Sequence, residues 1–164
     1  MRRLLRRYWW ALAILVIAGA PIAWYLGSPL FINKVVDEPF PTGTGAPAGA
    51  AQGVVFARGT FAGADDFHKG EGTATLSRAG GDLILRLDAF KVTNGPDLHV
   101  VLTKHAAPKK GEEVLAGYVD IGKLKGNVGG QNYRLPQGVN PGEYHAVVIY
   151  CKPFNFIFAV APLK

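Results

Sequence analysis

The chain has one cysteine and one methionine in 164 residues. A lone cysteine excludes an intramolecular disulfide and any metal site built from two thiolates. Cys-x-x-Cys, His-x-His and His-Glu-x-x-His are all absent, so the compact signatures of thiol redox pairs, copper dismutases and zinc hydrolases are missing. Also absent are Gly-x-Ser-x-Gly and a phosphate loop, and serine is scarce beyond residue 53, which leaves a nucleophilic triad without support. Acidic residues are missing from positions 1–30, where all the charge comes from Arg2, Arg3, Arg6 and Arg7. Much of the formal charge of +6 therefore sits at the N-terminus. The remainder shows no lysine and arginine stripe with interleaved aromatics, so nucleic acid is not an expected partner.

A long uncharged run comes after those arginines. Tyr8 to Gly27 holds no ionisable residue other than tyrosine, with Trp9 and Trp10 at one end and Trp24 and Tyr25 at the other. About 20 apolar residues in a helix span roughly 30 Å, the thickness of a bilayer core. Aromatic belts at both ends and arginines on one side predict a transmembrane helix over 8–27, a cytoplasmic basic segment over 1–7, and everything later outside the cytoplasm. Ala18-Gly19-Ala20 has the small-x-small pattern of a signal cleavage site. Pro21 follows it, an unfavourable neighbour for cleavage, and the reading is an uncleaved anchor in the cell envelope.

Residues 28–53 form a juxtamembrane segment and a Gly/Pro/Ala-rich linker; from 41 to 53 the composition cannot bury a core. Residues 54–164 are long enough for one compact domain. Short runs rich in Val, Ile, Leu, Phe and Tyr alternate there with Gly, Pro, Asn and Asp punctuation. The expected strands are Val54–Phe61, Gly72–Ser77, Asp82–Phe90, Leu98–Thr103, Gly117–Ile121, Gln131–Leu135, Glu143–Cys151 and Asn155–Ala159. No sustained helical period appears after Gly53. The predicted fold is all-β, an antiparallel sandwich or barrel of seven or eight strands.

Cys151 ends one of these strands. In the run 143–151, His145, Val147, Ile149 and Cys151 share one face and Tyr144, Ala146, Val148 and Tyr150 the other; both are largely apolar, as in a central strand. An exported thiol is either buried and inert, bound to a metal, or redox-active. Four histidines, His68, His99, His105 and His145, lie in the same domain, and imidazole with thiolate is a copper donor set. His145 and Cys151 are six residues apart, roughly 20 Å in one strand. A metal site must therefore join different strands or loops. The candidate ligands are His68, His99, His145 and Cys151, and copper is the candidate cofactor. Asp65, Asp66 and Glu71 fall in a glycine-punctuated loop whose spacing does not fit an EF-hand, so a solvated turn is expected there.

Several stretches, taken together, resemble a known family. They are Gly59–Leu76, with Phe61, His68 and Gly72-Thr73-Ala74; Leu83–Leu102, with Asp88-Ala89-Phe90 and Gly95-Pro96-Asp97-Leu98-His99-Val100; Gly130–Pro136; and Tyr144–Leu163, with Val148-Ile149-Tyr150-Cys151-Lys152-Pro153-Phe154-Asn155. The domain resembles the DM-thirteen electron-transfer domain, a small extracytoplasmic module found in some larger proteins beside DOMON and cytochrome b-type membrane domains. The resemblance implies a β-rich fold and a redox role centred on Cys151. It also implies an electron donor or acceptor on a separate envelope protein or small molecule.

Three functions are thus expected from the sequence. The leading one is a membrane-tethered redox domain with Cys151 as its reactive group, with or without a metal. The second is a copper oxidoreductase of the superoxide dismutase type, using His68, His99 and His145. The third is a non-catalytic accessory subunit of an envelope complex. Oligomerisation is left open.

Overall fold

The computed structural model describes residues 8–10, 13–21, 24, 32–41, 54–79 and 81–164. The chain divides into two units, Met1–Ile32 and Asn33–Lys164. In the first, residues 8–10, 13–21 and 24 are helical. The described residues do not cover the spanning helix expected over 8–27. The continuous run 13–21 rises about 14 Å at 1.5 Å per residue, about half a bilayer core. Among the described residues no helix is long and apolar enough to cross a membrane. The rest of that expected span, the basic segment 1–7 and the linker residues 42–53 lie outside the described residues.

The second unit is built from two antiparallel sheets. The strands are β1 (Val55–Thr60), β2 (Ala62–Gly63), β3 (Gly70–Ala79), β4 (Asp82–Val92), β5 (Leu98–Thr103), β6 (Val119–Lys123), β7 (Gln131–Arg134), β8 (Ala146–Cys151) and β9 (Phe156–Pro162). One sheet has the order β1-β3-β4-β7 and the other β2-β9-β8-β5-β6. They form a sandwich; the barrel alternative is set aside, because the strands pair as two separate sheets. The expected strand Val54–Phe61 is interrupted, and the chain changes sheet there: β1 pairs with β3, whereas Ala62 and Gly63 pair with Val160 and Ala159.

Alternation along β4 decides its facing. Leu85 and Leu87 are fully buried between the sheets, and Arg86 and Asp88 point outward. The main core gathers Leu76, Phe90, Val100, Leu102, Val147 and Ile149 with these leucines. β8 is central in its sheet, and both of its faces are buried. Its second face, Ala146, Val148 and Tyr150, meets Val101, Ile157 and Val114 in a smaller core outside the sheet. Val114 belongs to a short helix, α1 (Gly111–Leu115), which covers that face. Five residues are too few to show a helical period in the sequence.

The domain's outline extends further toward the N-terminus than the strand pattern implied. Residues 33–39 lie extended along residues 126–132. Val36 donates its N–H to Val128 O at 2.9 Å and Glu38 to Gly130 O at 2.7 Å. The Glu38 carboxylate takes the Lys125 ammonium at 2.8 Å and the Asn132 N–H at 2.9 Å. Gly129 makes the approach possible: its φ is +103°, and a Cβ there would stand 2.1 Å from Val36 O. No side-chain pattern in 33–39 announces this strap, because it docks mainly through its backbone, and Val35 is exposed.

Candidate functional site

β8 delivers Cys151 to one end of the sandwich, on the inner face. Cys151 lies opposite Leu98 of β5 and Phe156 of β9. It is 1% exposed and packs with the main core. The sulfur is not merely surrounded by hydrocarbon. It donates to Pro96 O at 3.0 Å and accepts the Phe154 backbone N–H. Pro96 belongs to the turn 94–97 that joins β4 to β5, and Phe154 to the turn between β8 and β9. Two loops therefore close over one thiol. Burial pushes that thiol above its ordinary value; the Phe154 N–H pulls it back, and the Asp97 carboxylate adds to the rise. At rest the sulfur is a neutral S–H.

The histidines do not gather around it. His99 is the neighbour of Leu98 on β5, so it points to the opposite face of the sheet and lies beside Tyr150 rather than Cys151. There it is buried and held by carboxylates: Nδ1 is 2.9 Å from Asp120 Oδ2, and Nε2 is 3.5 Å from Asp97 Oδ1. His68 lies in the loop after β2, bonded to Asp65 at 2.7 Å and set edge to face on Phe158 and tilted against Phe156, at 4.3 and 4.7 Å between ring centres. His145 precedes β8 instead of lying within it. The expected strand Glu143–Cys151 begins only at Ala146, because Pro141–Glu143 form a 3-10 turn capped by Asn140. His145 is exposed, and its backbone bonds Thr103 and Leu163, at the other end of β8 from Cys151. His105, also exposed, accepts the Ala107 N–H at its Nδ1.

The four proposed ligands His68, His99, His145 and Cys151 thus occupy different places, and among the described residues no three His, Cys, Asp or Glu side chains converge on a point that could hold a metal. The acidic loop resolves into local contacts. Asp65 accepts the N–H groups of Phe67 and His68, Asp66 faces Lys69, and Glu71 faces Lys91. The His68 contacts hold the Asp65 carboxyl at about 2.

Sequence reasoning missed Asp120. It accepts from Lys152 Nζ at 2.8 Å as well as from His99. Burial pushes its carboxyl up, and the hydrogen bonds from Lys152 and His99 more than reverse this, leaving it below the usual range. Asp120 stands 21 positions from His99, and only the pairing of β5 with β6 brings it there, so nothing local marks it. Asp97 reaches His99 from the turn before β5 rather than from the strand itself, so strand alternation does not mark that pair either.

The raised thiol has a consequence for stability. A group whose folded pKa lies above its unfolded value stabilises fully below the unfolded value and loses that contribution as pH rises. For Cys151 the loss begins near the ordinary thiol value, about 8.5. Tyr133, which burial pushes up to about 12 from 10.0, adds a second loss at higher pH. Thermal melts are expected to be flat between about pH 7 and 8 and to fall above that. In Cys151→Ala the first part of the fall should vanish, leaving only the part above about pH 10. Equal alkaline slopes in both proteins would contradict the assignment.

The fold and site define an antiparallel β-sandwich that encloses a single hydrogen-bonded thiol at one end. The Electron transfer DM13 family model matches residues 60–163, and the chain belongs to that family. No curated protein and no solved structure matches the chain.

Proposed function

We propose that this electron-transfer domain exchanges electrons at Cys151, and that it does so outside the cytoplasm while tethered to a membrane by its N-terminal segment. The observation that supports Cys151 is its setting. The single cysteine lies at the end of a central strand, with a donor and an acceptor of its own, under two loops at the protein's edge. The tether and the location rest on the arginines and the apolar run at the N-terminus.

A separate redox protein serves as partner. It approaches the tip of the β8–β9 turn, where Phe154 is 70% exposed while its N–H touches the sulfur from within. A one-electron acceptor on that protein takes one electron from sulfur, the thiol proton passes to solvent, and the return of one electron and one proton restores the S–H.

Because the thiol is neutral at rest, electron and proton leave together, and the midpoint potential should fall as pH rises, by about 59 mV per unit for one electron and one proton. Voltammetry of the full chain between about pH 5 and 8 measures this slope. A midpoint independent of pH would rule out a protonated thiol as the exchanging group.

A further inference from the structure

We propose that Asp97 is the positioning residue of the Cys151 site, holding the Pro96 carbonyl on the sulfur from the far side of the sheet. This rests on the reading of Cys151 as the redox group.

The contacts form a closed ring. The Cys151 thiol donates to Pro96 O. Pro96 is bonded to Asp97, whose Oδ1 is 2.7 Å from Lys123 Nζ and 3.5 Å from His99 Nε2. His99 Nδ1 is 2.9 Å from Asp120 Oδ2, and the same oxygen takes Lys152 Nζ at 2.8 Å. Lys152 is the next residue after Cys151. The ring starts on the inner face, rounds the end of the sandwich and returns along the outer face. Its members on the outer face are alternately basic and acidic.

Backbone geometry shows what Asp97 is there for. Its φ is +48°, in the left-handed region. Glycine adopts that region freely, and a residue with a Cβ adopts it under strain, aspartate less than most. On backbone grounds alone glycine suits this turn better. What aspartate adds is the carboxylate, and that carboxylate ties the turn to Lys123 on β6 and to His99 on β5. The tie fixes the direction of the preceding carbonyl, which is the acceptor that keeps the hydrogen on sulfur.

The test is Asp97→Gly in the full chain, with Asp97→Asn beside it. Asp97→Gly frees the backbone, so its melting temperature should equal or exceed that of the wild type. Its Cys151 should nevertheless react with 4,4′-dithiodipyridine about tenfold faster, since opening the turn no longer breaks a charge-assisted contact. Asp97→Asn keeps the side-chain shape, and its rate should rise by a smaller factor. A faster thiol in a protein no less stable separates positioning from mere support of the fold. Unchanged rates in both variants would overturn the proposal. So would an acceleration seen only alongside a matching loss of stability. Expressed per ionised thiol, which removes the effect of losing the Asp97 charge near sulfur, these rates report geometry whether or not the thiol carries electrons. Failure here leaves the electron-exchange reading standing, and a thiol that is released by Asp97→Gly yet is redox-silent in the wild type removes that reading instead.

Discussion

A chain shortened to begin at Val54 is expected to melt about 10 °C below one that begins at Asn33, a loss of roughly 3 kcal/mol for a domain of this size. The strand pattern suggests that Val54 opens the domain, yet the strap ahead of it supplies contacts the sandwich does not replace. Lys125 is held by both carboxylate oxygens of Glu38, at 2.8 and 2.9 Å. Arg86 Nη1 donates to Glu38 O, and Asn132 Nδ2 donates to Pro39 O at 2.8 Å. Asn127 Nδ2 donates to Asn33 Oδ1 at 2.8 Å. Hydrogen bonds to charged groups contribute about 1.5–3 kcal/mol each where they are partly buried. Glu38→Ala in the longer chain should therefore reproduce about half of the loss. Burial pushes the Glu38 carboxyl up, but hydrogen bonds from Lys125 and Asn132 outweigh it and hold the group below its usual value. Its contribution is thus present above the ordinary carboxylate range and fades as pH falls through and below that range. Melting the two chains at neutral and acid pH checks both points: the gap between them should narrow in acid. Equal melting temperatures at neutral pH would show the strap to be dispensable.

Phe90→Ala should be the most damaging single truncation, lowering stability by about 3–5 kcal/mol. Phe90 is 1% exposed and packs edge to face on Phe61, with ring centres 5.1 Å apart. The pair joins β4 to the crossing between β1 and β2, where the chain passes from one sheet to the other. The backbone around it is also committed. Ala89 sits at φ +46°, and Phe90 O accepts the Gly129 N–H at 2.8 Å. A neighbouring chain so fixed cannot collapse into the space the ring leaves, so the cavity persists. Domains of this kind have total stabilities of about 5–15 kcal/mol, and a loss of that size would leave the variant marginal. Urea unfolding with an unchanged slope measures it. A loss below about 1 kcal/mol would mean that the ring is not part of the core.

The sandwich was legible in the sequence because its strands bury apolar side chains in the period of two. β8 announced itself as central through two apolar faces, and the second face does have a cover, the helix α1. That helix was not legible, since one turn of helix has no period to read. The crossing at Phe61 was hidden for a related reason: the strand-like stretch from Val54 to Phe61 looks continuous, and only pairing shows that the chain there serves two sheets. The strap stayed hidden because backbone groups and the polar side chains of Asn33, Asp37 and Glu38 hold it, while its apolar Val35 faces outward.

At the site, the separation of His145 from Cys151 followed from strand length alone, and the two do lie at opposite ends of β8. The expectation that different strands would bring His68, His99 and His145 together depended on register, which composition does not encode. Register instead gave His99 the Asp120 carboxylate, and the turn 94–97 gave it Asp97 and gave the thiol a carbonyl. The polar ring around Cys151 combines residues from β5, β6 and two turns, so no single stretch of sequence contains it.

Comparing the voltammetric response of the full chain with those of Cys151→Ala, His68→Ala and His145→Ala tests the proposed role of the thiol most directly. The wave should disappear in Cys151→Ala, in a protein still folded by circular dichroism, and persist in both histidine variants. A wave that survives in Cys151→Ala, or that is lost when either imidazole alone is removed, would contradict it.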